Sequence, residues 1–368
     1  MRIGIDIKAL SNNSTGIARY LKELLDNLQQ LDHQNEYVLF ECRNSNYVLQ
    51  NPKWKKIITV WFLPGVLWQQ LILPFLLKKH AVDVLWAPEQ ICPVLFMNKI
   101  KIITSVHDCV EIHFPHTAQW AVKIINKFLL KRTLLKSNSI VTVSDYIKKD
   151  LYASYRSIIP IEKLHSIPNG KPNWKLPKNY DDTKRHQFLF FAGNIEPRKN
   201  LLNLIKALEH LFNKGLIIDL HIVGPQGWKN KKYFQYCSQS RVRNQIHHLG
   251  YCSQEELIRN YLTCKAFIYP SFYEGFGLPV LEALCLDSLV LTSRGTVMEE
   301  IAGPAALYFN PEDPVDIART IESVYSPQFH RTSILKYKNA VLDKYAWESS
   351  ASRLLEIIKA SSVAQKRY

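Results

Sequence analysis

Short β-branched runs alternate with longer amphipathic runs along most of this 368-residue chain. The first run, RIGIDI, is followed by a glycine-ended polar loop and by apolar residues at helical spacing between Ile17 and Leu28. Such alternation is typical of stacked βαβ units, which place helices against a mostly parallel sheet. The predicted strands of the first half are RIGIDI, YVLFEC, VDVLWA, KIITSV and SIVTVS, and those of the second half are FLFFAG, DLHIVG, IHHLG, AFIYPS and SLVLTS.

A polar segment at 171–187 interrupts this pattern. It contains two prolines and has no apolar period, which indicates a linker. We therefore predict two doubly wound α/β domains, over 1–175 and 176–345, and a final helix over 346–368 that packs back toward the first domain. Ligands of such sheets bind beyond the carboxyl ends of the strands, and we expect the site in the cleft where the two domains face each other.

The formal net charge of +15 suits nucleic acid, an anionic membrane face or a phosphorylated small molecule as partner. Nucleic acid is disfavoured, because the basic residues are spread along the chain and are not concentrated on one element with interleaved aromatic residues. The seven cysteines form no C-x-x-C pair, which argues against a zinc site and for a reducing compartment such as the cytoplasm. The first predicted strand begins beside Met1, so no signal peptide is expected.

The most apolar stretch of the chain spans 60–77. Two prolines, a glycine and two glutamines break it, so it does not suit a transmembrane helix. Two interpretations stay open. In one, Trp61, Phe62 and Trp68 contact the inner face of an anionic membrane beside the basic run Lys78–His80. In the other, the stretch forms a buried helix of the first domain.

The segment GNIEPRKNLLNLIKAL joins a predicted strand to a predicted helix. Asn200 is a favourable N-cap for that helix, so Arg198 and Lys199 stand at its N-terminus, where cations oppose the macrodipole. A bound anion resolves this conflict, because backbone N–H groups and two cations suit a diphosphate. The alternative is a solvated Arg-Lys pair in a loop.

The segment SFYEGFGLPVLEAL follows another predicted strand. Gly275 and Gly277 allow the backbone to approach a ligand closely, and Pro279 suits the first turn of a helix. Glu282 then lies in the early turns of that helix, where its carboxylate can accept two hydrogen bonds from a vicinal diol such as that of ribose. Glu274 precedes the glycines and faces the bound group. The alternatives are that Glu282 only favours the helix N-terminus, or that the two acids form a hydrolase pair.

Two anion-binding loops and two carboxylates at the strand ends of one domain together indicate a nucleotide-diphosphate pocket. The chain resembles the retaining glycosyltransferases of family 4, which have the GT-B fold of two Rossmann-like domains. SFYEGFGLPVLEAL resembles the family's E-x7-E signature, with Glu274 and Glu282 as its acids. GNIEPRKN resembles its phosphate-binding loop, STGIARYLKELL its N-terminal glycine loop and helix, and VHDCVEIHFP its His-Asp element.

The resemblance implies an acceptor side in the N-terminal domain and a donor side in the C-terminal domain. It implies that Lys199 and Arg198 neutralise the donor diphosphate, that Glu282 binds the ribose and that Glu274 binds hydroxyls of the sugar. It implies a contact between His107 and the transferred sugar near its 6-position, whereas the alternative is a histidine bonded within the core. The catalytic residues implied are Glu274, His107 and Lys199. The donor-binding residues implied are Gly16, Gly193, Asn194, Arg198, Lys199, Glu274, Gly275, Phe276, Gly277, Leu278 and Glu282.

The resemblance also implies transfer with retention, in which the departing phosphate takes the acceptor's proton and no metal or other cofactor is needed. The partners expected are a nucleotide-diphosphate sugar and a glycan or lipid-linked acceptor. EPRKN is similar to mannosyl- and rhamnosyltransferases of bacterial surface-polysaccharide assembly, so GDP-mannose is the favoured donor, with a dTDP- or UDP-sugar as the alternative. A non-catalytic, basic nucleotide-binding protein is the alternative of another class. Many family members have an arginine where this chain has Asn194, and Arg198 is expected to compensate.

Overall fold

The structure is a computed structural model that describes residues 1–11, 15–60, 65–94, 100–114, 120–174 and 185–363. The chain divides into two compact units. The first comprises Met1–Gly170 and the C-terminal segment from Tyr345, and the second comprises Lys171–Lys344. Most of the predicted linker, residues 175–184, lies outside the described residues.

The first unit contains a seven-stranded sheet in which neighbouring strands are parallel, in the order β3-β2-β1-β4-β5-β6-β7. Five strands coincide with predicted ones. The edge strand β3 was missed because it is partly polar and exposed, and β7 because it is three residues long. The strands are β1 (Arg2–Asp6), β2 (Glu36–Glu41), β3 (Trp54–Ile58), β4 (Val84–Ala87), β5 (Lys101–Val106), β6 (Ser139–Thr142) and β7 (Leu164–Ser166).

The first helix of this unit begins where the loop after β1 ends. The Thr15 hydroxyl caps it by accepting a hydrogen bond from the N–H of Ala18 at 3.1 Å. Its predicted apolar face is buried from Tyr20 to Leu28. The helices are α1 (Gly16–Leu31), α2 (Gly65–Leu71), α3 (Leu73–Lys79), α4 (Val110–His113), α5 (Trp120–Lys136) and α6 (Asp145–Tyr155).

The second unit contains a six-stranded parallel sheet in the order β10-β9-β8-β11-β12-β13. The order of connection reverses between β8 and β11, which makes the carboxyl ends of these two strands the switch point where ligands of doubly wound sheets bind. Only β13 was not predicted. The strands are β8 (Phe188–Ala192), β9 (Asp219–Val223), β10 (Ile246–Gly250), β11 (Ala266–Tyr269), β12 (Val290–Ser293) and β13 (Ala306–Phe309).

Helices cover this second sheet, and α7 packs against α12. The buried face of α7 is an apolar stripe that includes Leu201, Leu204, Ile205 and Leu208. The helices are α7 (Leu201–Asn213), α8 (Lys231–Gln239), α9 (Gln254–Thr263), α10 (Leu278–Cys285), α11 (Val297–Ala302), α12 (Pro314–Tyr325), α13 (Thr332–Leu335) and α14 (Lys338–Leu342).

The last helix, α15 (Trp347–Val363), packs along α1 and belongs to the first unit. The indole of Trp347 fills the space beside Gly170, where a Cβ would lie 2.4 Å from the ring. The Ser350 hydroxyl donates a hydrogen bond to the Pro168 carbonyl at 2.6 Å. These contacts fix the start of the helix against the segment that follows β7.

The apolar stretch at 60–77 contains α2 and most of α3. Residues 61–64, with Trp61 and Phe62, lie outside the described residues. Trp68, Leu73 and Leu77 are buried in the core of the first unit, so the expectation that Trp68 contacts a membrane is wrong. Phe75 lies on the opposite face, and 65% of it is exposed. The stretch is therefore a pair of amphipathic helices with one buried face. Among the helices of the described ranges, none has both the length and the apolar character needed to cross a bilayer.

Candidate active site at the switch point of the second sheet

The loop after β8 carries the predicted phosphate-binding cations. Pro197–Lys199 form one 3-10 turn, Asn200 adopts the left-handed conformation with φ of 58°, and α7 begins at Leu201. Asn200 is the N-cap residue of α7, as predicted, but its side chain makes no capping hydrogen bond. Its amide instead donates hydrogen bonds to the carbonyls of Pro270 at 3.0 Å and Pro311 at 2.7 Å. Asn200 therefore ties this loop to those after β11 and β13.

The loop after β11 carries Glu274 and the two glycines, and α10 follows it with Pro279 in its first turn, as predicted. Gly277 has φ of 109°, and a Cβ there would lie 2.8 Å from the side chain of Met298. Only glycine combines that backbone conformation with that close approach. The first N–H groups of α10 have no partner within the helix, as at any helix N-terminus.

Lys199, Arg198 and Glu274 form a buried ion cluster that joins the two loops. The Lys199 ammonium lies 2.6 Å from Oε1 of Glu274, and the Arg198 guanidinium lies 2.7 Å from Oε2. Lys199 also donates a hydrogen bond to the hydroxyl of Tyr269, the last residue of β11, at 2.5 Å. Lys199 and Glu274 each expose only 8% of their surface. The structure thus brings the two predicted cations into direct contact with the first acid of the signature.

The electrostatics of the cluster keep all three groups charged. Burial by itself would raise the pKa of Glu274, but the charges of Lys199 and Arg198 outweigh it and lower that pKa to about 2. Burial would lower the pKa of Lys199, and Glu274 raises it above its usual range. Glu274 is therefore ionised at neutral pH and does not suit the general acid of the hydrolase alternative.

Arg198 has further partners besides Glu274. Its guanidinium donates to Oε1 of Glu196 at 2.6 Å and to the carbonyl of Tyr273 at 2.7 Å. Glu196 is buried and was not singled out from the sequence. Three acceptors from two loops thus hold the Arg198 guanidinium in place. Arg198 therefore fixes the position of the Glu274 carboxylate and also supplies positive charge.

Glu282, the second acid, is buried within α10. The hydroxyl of Tyr261, on α9, donates a hydrogen bond to Oε2 of Glu282 at 3.0 Å. Burial, followed by the charge of Glu282, raises the pKa of Tyr261 well above its usual range, so the hydroxyl stays protonated. The two signature acids thus have different partners, cations for Glu274 and a neutral phenol for Glu282.

The other predicted donor-binding residues of this unit lie on the same two loops. A Cβ added to Gly193 would lie 3.8 Å from Cε of Lys199, so this glycine adjoins the cluster. Asn194 beside it is exposed. Gly275 and Phe276 follow Glu274 directly, and Leu278 is the first residue of α10.

The predicted residues of the first unit are His107, which directly follows β5, and Gly16, which begins α1. Nε2 of His107 is 2.6 Å from the carbonyl of Pro88, and since a carbonyl only accepts, Nε2 carries the proton. The ring of Tyr20 meets His107 edge-on with centroids 4.8 Å apart. Burial lowers the pKa of His107, so the imidazole is neutral and Nδ1 is its acceptor atom.

Gly16 is the first residue of α1, and a Cβ there would meet no atom within 4 Å. Residues 12–14 of the predicted glycine loop lie outside the described residues. Across the described residues of both units, no group of three or more His, Cys, Asp or Glu side chains is arranged to hold a metal ion.

Two sequence families match successive parts of the chain. "Glycosyltransferase Family 4" matches residues 14–171, and "Glycosyl transferases group 1" matches residues 173–341. O-antigen chain mannosyltransferase B of Escherichia coli is 25% identical over 70% of this chain and 70% of its own. The serotype-specific mannosyltransferase WbdA of Escherichia coli is 26% identical over 64% of this chain, and the match spans 29% of that longer protein.

A solved structure, that of HepE from Anabaena in complex with UDP-glucose, shares the fold. Its TM-score is 0.75 over 98% of this chain and 100% of that chain, at 14% identity. Two parallel α/β units matched in succession by these families define an enzyme of the GT-B glycosyltransferase class. The chain belongs to glycosyltransferase family 4, group 1, whose members transfer sugars with retention of configuration.

Proposed function

We propose that this glycosyltransferase moves mannose from GDP-mannose to a glycan or lipid-linked acceptor in the assembly of a lipopolysaccharide or related surface polysaccharide. The family supports a nucleotide-sugar donor, and the names of the O-antigen mannosyltransferases among its relatives support the sugar and the acceptor class. The observation that carries the proposal is the buried cluster of Lys199, Arg198 and Glu274 at the switch point.

In this proposal the donor diphosphate binds between the cluster and the N-terminus of α10. Lys199 supplies the direct cation, and the backbone near Gly277 and Leu278 supplies N–H donors. Gly193 and Asn194 border the same phosphates. The family resemblance also makes Gly16, the first residue of α1, a donor-binding residue in this proposal, and a Cβ there would meet no atom within 4 Å.

The two acids divide the recognition of the donor. Glu282, held by the neutral hydroxyl of Tyr261, accepts hydrogen bonds from the ribose diol. Glu274, held by two cations, accepts hydrogen bonds from hydroxyls of the sugar ring. A carboxylate with a pKa of about 2 stays an acceptor at any physiological pH, so this contact does not depend on protonation.

Charge explains how these residues favour transfer. Departure of the diphosphate leaves oxocarbenium character on the sugar and adds negative charge to the leaving group. Lys199 and the N-terminus of α10 stabilise that negative charge, while ionised Glu274 stabilises positive charge on the ring. The acceptor attacks the face from which the diphosphate leaves, and a phosphate oxygen takes the acceptor's proton. No residue is then needed as a base, and no metal is needed to neutralise the leaving group.

Arg198 acts mainly through Glu274 in this scheme. Its guanidinium is already bound by Glu196, Glu274 and the Tyr273 carbonyl, and it adds positive potential at the phosphates without requiring direct contact. It thereby compensates for the absence of the arginine that many family members have at the position of Asn194. His107 contributes its Nδ1 lone pair, which can accept a hydrogen bond from the sugar near its 6-position.

We also propose a cytoplasmic enzyme that contacts the inner face of the plasma membrane peripherally. None of the seven cysteines, all of which lie in the described ranges, forms a disulfide, which suits a reducing compartment. Leu67, Leu71 and Phe75 are exposed at helical spacing along α2 and α3, and the exposed cations Lys78 and Lys79 end α3. An apolar stripe beside lysines suits an anionic lipid surface.

A second donor class is supported by the UDP-glucose bound to the structurally similar HepE. Incubation with GDP-mannose, dTDP-rhamnose, UDP-glucose and UDP-galactose, with nucleotide release as the readout, distinguishes these donors. Release from GDP-mannose alone is expected. Preference for a UDP- or dTDP-sugar would replace mannose, and thermal stabilisation by nucleotides without sugar transfer to any acceptor would favour a non-catalytic nucleotide-binding protein.

A further inference from the structure

Tyr269 lies at the end of β11, directly behind the ion cluster, and no motif singles it out. Only 2% of it is exposed. Its ring stacks against Phe191 of β8 with centroids 5.8 Å apart and against Phe267 of its own strand at 5.7 Å. Close packing against these two rings restricts the Tyr269 ring, and with it the hydroxyl.

The Tyr269 hydroxyl and the Glu274 carboxylate together orient the Lys199 ammonium. Nζ of Lys199 lies 2.5 Å from the hydroxyl and 2.6 Å from Oε1 of Glu274. An ammonium has three N–H donors in tetrahedral arrangement. The Tyr269 hydroxyl and the Glu274 carboxylate accept two of these N–H groups and thereby fix the direction of the third N–H. That third N–H can donate to an oxygen of a ligand.

The chemistry of a phenol suits this task. Burial, followed by the charge of Glu274, raises the pKa of Tyr269 to about 12, so the hydroxyl is neutral at physiological pH. A neutral acceptor holds the ammonium without cancelling its charge. A second carboxylate at that position would instead neutralise Lys199 and repel a diphosphate.

We propose that Tyr269 is a positioning residue for sugar transfer, which fixes the Lys199 ammonium so that its third N–H meets the leaving diphosphate. The inference rests on the proposed function, in which Lys199 contacts that diphosphate. Tyr269 itself touches neither the donor nor the acceptor. It acts through Lys199, and its effect therefore disappears when Lys199 is absent.

A double-mutant cycle tests this coupling. Tyr269→Phe keeps the ring and its stacking and removes only the hydroxyl, and Lys199→Met keeps the length of the side chain and removes the charge. Calorimetric titration gives the affinities of GDP and guanosine, and of UDP and uridine, for the wild type, both single variants and the double variant. Tyr236→Phe is the matched control, because it removes a hydroxyl that binds the Glu209 carboxylate elsewhere in the same unit.

We expect Tyr269→Phe to weaken binding of the nucleoside diphosphate about tenfold and to leave the nucleoside unchanged, since one hydrogen bond to a charged group is lost. In the Lys199→Met background the same change should alter diphosphate affinity less than about twofold. Tyr236→Phe should alter neither affinity.

Two results would overturn the assignment of Tyr269. In one, the losses from Tyr269→Phe and Lys199→Met are additive. In the other, Tyr269→Phe weakens diphosphate and nucleoside equally, as a change in packing would. A wild type that binds neither GDP nor UDP would instead overturn the proposed function, and the role of Tyr269 with it.

Discussion

Replacement of Glu274 by glutamine tests the ion cluster most directly, because it removes one charge and keeps the shape of the side chain. Lys199 and Arg198 lower the pKa of Glu274 from 4.5 to about 2. Since one pKa unit corresponds to about 1.4 kcal/mol, the ionised carboxylate stabilises the folded protein by about 3 kcal/mol. Removal of one partner from a buried ion pair costs about 3–5 kcal/mol, which agrees in size.

The sign of the pH dependence follows from the lowered pKa. The stabilisation is present above pH 4.5 and is lost as the pH falls from 4.5 towards 2, because the unfolded state then binds the proton more readily. The free energy of unfolding of Glu274→Gln should be about 3 kcal/mol lower than that of the wild type at pH 7. The variant should also lack the loss of stability that protonation of Glu274 causes between pH 4.5 and 2.

Ligand binding should change in the opposite direction to stability. Without the carboxylate, Lys199 and Arg198 keep their charges and lose their shared counter-ion, so a diphosphate should bind Glu274→Gln at least as tightly as it binds the wild type. Sugar transfer should nevertheless fall, because the contact to the ring hydroxyls loses its charge.

Urea unfolding at pH 7 and calorimetric titration of GDP and UDP measure the two effects. Glu209→Gln is the control, since Glu209 lies in the same unit and accepts hydrogen bonds from the hydroxyls of Tyr236 and Ser240. It should leave nucleotide affinity unchanged. Loss of less than about 1 kcal/mol in Glu274→Gln, together with weaker diphosphate binding, would refute the view that Glu274 is the resident counter-ion of the cations.

Four further predictions address the rest of the site and its surroundings. Lys199→Met should weaken GDP or UDP binding about a hundredfold and leave the nucleoside unaffected, as measured by calorimetry; equal losses would remove Lys199 from the phosphates. Glu282→Gln should weaken nucleoside and nucleotide alike, and more than Glu274→Gln does; the reverse order would undo the division between the acids. NMR of the product should show the anomeric configuration of the donor, and an inverted product would contradict retention. Phe75→Asp should reduce sedimentation with anionic vesicles while activity on a soluble acceptor persists; unchanged sedimentation would exclude this face as the membrane contact.

Much of the second unit's local structure could be predicted from its sequence, because local rules decide it. The short apolar runs predicted the strands at the switch point, and Pro279 predicted the start of α10. The spacing of Glu274 and Glu282 placed one acid in the loop and the other inside the helix. Short or polar edge strands such as β3 were not predicted, because pairing with a neighbouring strand stabilises them more than their own composition does.

The sequence by itself therefore determined the two α/β units, their family and the loops that carry the cations and acids. The tertiary structure decided which of these groups meet. It brought Lys199 and Arg198 into contact with Glu274, and it placed the Tyr269 hydroxyl against the Lys199 ammonium. It also directed the side-chain amide of Asn200 to carbonyls of two other loops. The physical reason is that these hydrogen bonds and ion pairs join residues at least 70 positions apart. They form because β8 and β11 pair in the sheet, and no local sequence pattern encodes that pairing.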